Sequence, residues 1–480
     1  MFLMGISPPP VAAKAPPAKS RTAHAAETIL RLIPSLLSVC FPGKRKMYNT
    51  YHNSFKENMI FHPCYARRNF PLFASLEDTI ARAAALVRPP RKTRTVLLPE
   101  AGGEVLASDI AADRNIPPFP RAAMDGFAVV WTGKEDRSPY RVIGTVNPGT
   151  RWSGASGAGD CIKIMTGAAV PPPFDTVIQV EQSQTGVDGS VRFTEKARHG
   201  QNIAPEGDDA RKGEVLIPAG TVLFPRHVAT LAAVGQWEIP VFERPSVTIL
   251  PTGSELQEPW EPAEGPMIRN SNAHFVRAAL SCLGAREVHY GGIVTDDPEH
   301  IRERIQEGLT DDFLILSGGV SEGEVDVVPQ CLAECGVEKI LHKVAVKPGK
   351  PLYIGRGPSG TVVFGLPGNP VAVMVHMAML VKPLFLKASG AREYLPKPIY
   401  LPLAGEAHNR SIGKKFTPAR VVSKGGKSVV AEIPSNGSGD FISALRAEGV
   451  FEIPAGVSHL GPGDLVGFHP VWGDLFQDEG

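Results

Sequence analysis

The chain has 480 residues, 43% apolar and 21% charged, which is ordinary for a globular protein and too long for a single hydrophobic core. Its net charge of +1 is unevenly spread: residues 1–73 hold 10 Lys/Arg against 2 Asp/Glu, a balance of +8, and the remainder carries −7. A mildly acidic body lacks the basic face that nucleic-acid binding needs, and no apolar run reaches the ~18–20 residues of a membrane span.

Residues 1–73 look foreign to the rest of the chain. PPPVAAKAPPAKS is basic and Pro/Ala-rich, with no packing face. ILRLIPSLLSVCF (29–41) is apolar, but it begins late for a secretory segment, carries Arg31 and lacks a small-residue cleavage site. A transit peptide stays open, and a disordered tail or an upstream start codon is the preferred reading.

From Ala74 the pattern changes. SLEDTIARAAALV predicts a helix capped by Ser75, with Asp78 three residues on, up to Pro89-Pro90. TRTVLLPEAGGEVLASDI reads as strand, turn, strand. Between 113 and 245 short β-type runs (FAVVW, RVIGTV, CIKIMTG, TVIQVEQ, VRFTE) separated by Gly, Pro and Asp predict one or two small β domains. Three loops there carry polar residues: Asp125 ahead of Gly126, Thr166 at the end of an apolar run, and Asp208-Asp209. Taken alone, the first two are better explained by turn chemistry than as a site.

Near Ser246 the period switches to alternating strand and helix, with helices predicted at about 273–283 and 299–308, which implies a parallel sheet with crossovers. VAVMVHMAMLV (371–381), which contains His376 and meets Lys382-Pro383, reads as a buried helix. From IYLPLAGEAHN onward the chain returns to short β segments. None of the six cysteines (40, 64, 161, 282, 331 and 335) forms a CxxC pair, so neither a zinc site nor a redox motif is indicated. Cys331 and Cys335, one helical turn apart, read as buried thiols in a reducing cytosol, and the 13 histidines show no metal-ligand spacing.

The α/β part is the informative one. Its apolar strands end in unusual loops: Thr252-Gly253-Ser254-Glu255, Thr295-Asp296-Asp297-Pro298, Ser317-Gly318-Gly319, Lys347-Pro348-Gly349-Lys350-Pro351 and Gly365-Leu366-Pro367-Gly368-Asn369-Pro370. In a parallel sheet such strand ends share one edge, so the loops converge on a crevice. Glu255, Asp296, Asp297 and Asp326 would there face Lys343, Lys347 and Lys350. That mixture fits a hard cation such as Mg²⁺ together with a polyanionic substrate. The stretch FLILSGGVSEGEVDVV (313–328) shows the pattern best. It also reads as a turn followed by a solvated acidic helix start, with Glu322, Glu324 and Asp326 in solvent.

AMDGFA, IMTGAAVP, PTGSEL, TDDP, SGGVSEGEVD, KPGKP and GLPGNPV, in that order over about 74–480, resemble the molybdopterin molybdenumtransferases, which include the catalytic part of gephyrin. The resemblance implies a multidomain α/β plus β protein. A three-layer α/β core like the molybdopterin adenylyltransferases (74–93 and 246–395) would come after the extension 1–73. It would be joined by a β linker domain (94–112 and 213–245), an inserted β domain (113–212) and a C-terminal β-barrel (396–480). It implies a cytoplasmic homodimer, with the active site between the core of one chain and the β region of the other. Molybdate would enter adenylylated molybdopterin with release of AMP, with Mg²⁺ as cofactor and an upstream adenylyltransferase as a partner.

Carried over by position, Glu255, Asp296 and Asp326 match metal and phosphate positions, and Lys343 and Lys347 match functional lysines. Ser317, Gly318 and Gly319 match substrate-binding positions; Lys350 and Pro351, with Arg420 and Ser443, match the molybdate end. Asp125, Thr166 and Asp209 match positions reaching in from the second protomer. Ser254, Asn270 beside Arg269, Phe127 and Glu322 depart from the family pattern. Two other readings share the fold: a non-catalytic scaffold, and the adenylyltransferase itself, against which the extra β segments weigh.

Overall fold

In the computed structural model, which describes residues 73–90, 92–133, 139–262, 264–320, 327–437, 439–440, 442–443 and 446–471, the run Phe313–Ser317 is buried throughout and lies inside a six-stranded sheet. Expectations for residues 1–72 and for the acidic run 321–326, with Glu322, Glu324 and Asp326, lie outside the described residues.

The strand order is Val288–Tyr290, Val247–Pro251, Phe313–Ser317, Val362–Leu366, Tyr353–Arg356, Glu338–His342. The first four are mutually parallel, as the alternation of strand and helix requires. The last two break the expected all-parallel sheet, each pairing antiparallel with its neighbour. The reason is chain length. Between His342 and Tyr353 there are too few residues for a helical crossover, so the chain returns as a hairpin whose loop holds KPGKP.

Strand residues point alternately to opposite faces, and the two sets pack on different helices. Val247, Ile249, Phe313, Ile315, Val362 and Phe364 meet the helices Leu76–Leu86 and Asn272–Cys282 and the run 370–388. Leu250, Leu314, Leu316 and Val363 meet Pro298–Gly308 and Val328–Glu334. Phe313 and Phe364 stack at 6.4 Å, and truncating either to Ala would cost about 3–5 kcal/mol. Ser75 caps the first helix, accepting from the Asp78 amide at 3.0 Å.

The buried helix expected at 371–381 is longer than the sequence suggested. It runs from Pro370 through a π-helical turn, Met377–Val381, into Lys382–Ala388. The wider turn absorbs Pro383 at the start of the last segment, where its missing N–H does least harm. At 19 residues this is long and apolar enough to cross a membrane, but it is the spine of the core.

The inserted β region forms a four-stranded sheet: Arg141–Val146, Asp160–Ile164, Gly126–Val129, Thr176–Gln179. Thr93–Leu97 pairs with Glu238–Phe242, and Ile110–Ala111 with Val215–Ile217, around a separate apolar cluster. Near the C-terminus a second six-stranded sheet contains Lys414–Lys424, Gly449–Ile453, Leu465–Pro470 and Ile399–Pro402. It curls so that Leu403 bridges Val430 of the strand Lys427–Glu432. Its outermost strand, Val346–Lys347, lies within the connection of the core hairpin, so the first residue of KPGKP pairs with the C-terminal sheet.

Candidate active site

The sheet register carries the site. Leu250, Leu316, Gly365, Tyr353 and His342 are paired in series across the sheet, so the loops that succeed Pro251, Ser317, Leu366 and His342 leave from one edge. Neighbouring loops are then bonded to one another. The Thr252 amide donates to Ser317 O (2.9 Å), the Gly253 amide to Val294 O (3.1 Å) and the Gly318 amide to Leu366 O (3.0 Å). The Asn272 side chain donates to Gly368 O (2.9 Å), and the His342 ring to Val320 O (2.9 Å). The five loops form a continuous rim.

Two exposed carboxylates sit on this rim. Asp296 Oδ2 accepts from the Ser254 amide (3.0 Å), and the Asp296 amide donates to Ser254 Oγ (3.2 Å). The serine, a departure from the family pattern, is thus the tie between the two acidic loops. The Glu255 carboxylate folds over Gly253, whose φ of 144° and lack of Cβ leave room for it. Asp297 is a helix cap, accepting from the amides of Glu299 and His300 (3.4 and 3.3 Å).

In the Ser317-Gly318-Gly319 turn the Gly318 amide is spent on Leu366 O and is not available to an anion. Both glycines have positive φ and serve close approach. A Cβ on Gly318 would strike the Thr252 carbonyl, and one on Gly319 would press on Val328. Thr252 Oγ1 is buried at this junction without a partner, a polar atom with no distinct signal in the sequence because it ends an apolar strand.

The lysines lie on the hairpin. Lys343 adopts a φ of 86°, rare for a residue with a side chain, while its amide donates to Leu352 O (2.8 Å). Lys343 and Lys350 approach the ring of Phe73 (5.5 and 4.4 Å), a residue assigned by sequence to the extension. Lys347 is exposed beside Lys415 on the shared edge strand, and Pro351 closes the loop. Underneath, His376 Nε2–H donates to Gly349 O (2.8 Å), and its ring fills the space a Cβ on Gly349 would need. Burial pushes this imidazole down to about 4. The only sequence signal for it was a histidine inside an apolar helix.

The second group gathers in the inserted β region. Asp125 Oδ1 accepts from the Thr166 amide (2.6 Å) and hydroxyl (2.7 Å), and these bonds hold the carboxyl below the usual carboxylate range. Arg121 lies 3.8 Å from Asp209 and bridges to Ala169, which brings the three loops together. Arg420 is exposed on the C-terminal sheet. Ser443 is buried, and its hydroxyl donates to Asp440 O (2.7 Å), which leaves it only acceptor capacity. Phe127 is core, packed near Phe193 (6.1 Å). Asn270 is buried, donating to the Tyr290 hydroxyl (2.9 Å) and accepting from the Ala273 amide (3.2 Å), so both departures are structural.

Three family models match in succession: the MoeA N-terminal region (domain I and II) over residues 74–235, a probable molybdopterin binding domain over 248–387, and the MoeA C-terminal region (domain IV) over 400–471. The chain is 33% identical over 404 residues to a molybdopterin molybdenumtransferase of Synechococcus elongatus, covering 82% of this chain and 97% of that one. It is 30% identical over 372 residues to one of Synechocystis, covering 76% and 92%. A crystal structure of the molybdopterin biosynthesis moeA protein from Pyrococcus horikoshii superposes with a TM-score of 0.70 at 28% identity, covering 83% of this chain and all of that one.

Proposed function

This chain belongs to the molybdopterin molybdenumtransferase family and is an enzyme of molybdenum cofactor biosynthesis; from that premise we propose that it inserts molybdate into adenylylated molybdopterin with release of AMP at the sheet-edge rim. The observation that carries the reading is the bonded rim itself, which brings Glu255, Asp296, the Ser317-Gly318-Gly319 turn and the lysine hairpin to one edge.

Glu255 and Asp296 are exposed oxygen donors on adjoining, bonded loops, and Asp296 keeps lone pairs beyond the one the Ser254 amide takes. That donor set fits Mg²⁺, which they would hold with Asp326. When bound, the ion neutralises phosphate charge and makes the adenylate more electrophilic. Lys343 and Lys347 supply fixed positive charge to the phosphates, and Lys350 with Pro351 supplies the molybdate end, with Arg420 as a planar fork; Ser443 would join them by turning its hydroxyl from the Asp440 carbonyl to a molybdate oxygen. The substrate brings its own dithiolene sulfurs, so none of the chain's cysteines is needed as a nucleophile. The protein's task is to position a water or oxo nucleophile at the phosphoanhydride.

The Asp125–Thr166 pair with Asp209 forms a second polar patch, which supports a homodimer whose β region completes the site of its partner. The curled C-terminal sheet supports a barrel, and the four described cysteines, all free thiols, support a cytoplasmic setting. The test is AMP release from adenylylated molybdopterin, dependent on molybdate and Mg²⁺. Asp326→Ala is expected to abolish release while the dimer persists. A scaffold would release no AMP, an adenylyltransferase would consume ATP, and wild-type turnover in the variant would remove Asp326 from the site.

A further inference from the structure

The C-terminal segment carries a side-chain cluster that the proposed reaction does not use. The short strand Ala407–His408 pairs antiparallel with His459–Leu460, and His408 stands directly opposite His459. Side chains two residues apart on an extended chain share a face, so Glu406 points the same way as His408. The two imidazoles lie with centroids 4.9 Å apart, tilted by 36°. Each Nε2 is 3.9 Å from Glu406 Oε2, and the three donor atoms all fall within 4.8 Å of one another. Lys415 donates to the His408 carbonyl (3.0 Å), which steadies the strand from its backbone side.

These spacings decide between two explanations. A hydrogen bond from imidazole to carboxylate needs ~2.7–3.2 Å, so Glu406 satisfies neither ring directly. Around a tetrahedral ion with bonds of ~2.0–2.2 Å the donors stand ~3.3–3.6 Å apart, so rotation of these exposed side chains, now 3.9 Å and at most 4.8 Å apart, by a few tenths of an ångström to about 1 Å brings all three onto one ion. We propose that Glu406, His408 and His459 form a surface site for a divalent transition metal of the Zn²⁺ or Cu²⁺ class.

Two imidazoles and one carboxylate favour these borderline ions over Mg²⁺, which prefers oxygen. All three side chains are at least half exposed, so the fourth position opens to solvent. The site would act as a clamp between two strands far apart in sequence.

The test titrates the full-length, chelator-stripped chain with ZnCl₂ against a chromophoric chelator, comparing wild type with a His408→Ala/His459→Ala double variant and with Glu406→Gln. Wild type is expected to take up one equivalent that the double variant lacks, and Glu406→Gln to weaken it at least ~10-fold. With CuCl₂, the spin-resonance splitting from two nitrogens should vanish in the double variant. Circular dichroism confirms that the variants, altered only at exposed positions, remain folded. The proposal is overturned if wild type binds no equivalent, or if the double variant binds the same number with unchanged affinity.

Discussion

His376 is a residue whose protonation the fold opposes. Its ring is fully buried beneath Gly349, and burial pushes its pKa down to about 4 from the ordinary 6.5, despite the carbonyls of Gly349 and Pro351. The unfolded chain binds this proton below about 6.5 while the folded chain refuses it until about 4, so stability is full at neutral pH and falls on acidification across that window. The expected loss is about 3 kcal/mol between pH 6.5 and 4, which urea unfolding at the two limits would measure. His376→Gln should flatten this component, and an unchanged slope in the variant would disprove the assignment. Gly349→Ala belongs to the same contact. A methyl at a φ of 108° lands on the His376 ring, and it should lower AMP release by displacing Lys350.

At the scale of elements, the loops act as a set because each is bonded to the next. Ser254 illustrates this: its amide and hydroxyl hold Asp296, so Ser254→Ala removes one of the two Ser254–Asp296 bonds. We expect a stability cost of about 1 kcal/mol and a rise in the Mg²⁺ concentration needed for half-maximal AMP release, with the substrate KM little changed. A variant with the wild-type Mg²⁺ requirement would show that the serine merely occupies the position. The elements themselves were largely legible. The helices at 76–86, 272–282 and 298–308 arise from caps and period, and the strand Phe313–Ser317 from an unbroken apolar run. The antiparallel hairpin and the continuation of the long helix past Pro383 were not, because a short connection and a π-helical turn override the local pattern.

At the scale of the molecule, the edge strand Val346–Lys347 joins the core to the C-terminal sheet, and Lys414 adds ion pairs to Glu77 (2.7 Å) and Glu452 (3.1 Å). If the proposed site is shared between protomers, mixing inactive Asp125→Ala chains with inactive Glu255→Ala chains should restore AMP release that neither has alone. No recovery after subunit exchange would place both groups in one chain's site.

What the sequence determined by itself was the family and the rim loops, because strand ends that pack closely and carry charge demand particular glycines, prolines and acids at short, ordered spacings. Only the tertiary structure decided that Ser254 holds Asp296, that His376 underlies Gly349 and that His459 meets His408. Those pairs are separated by long stretches of chain, and contact between them exists only once sheet register has been set by burial of both faces.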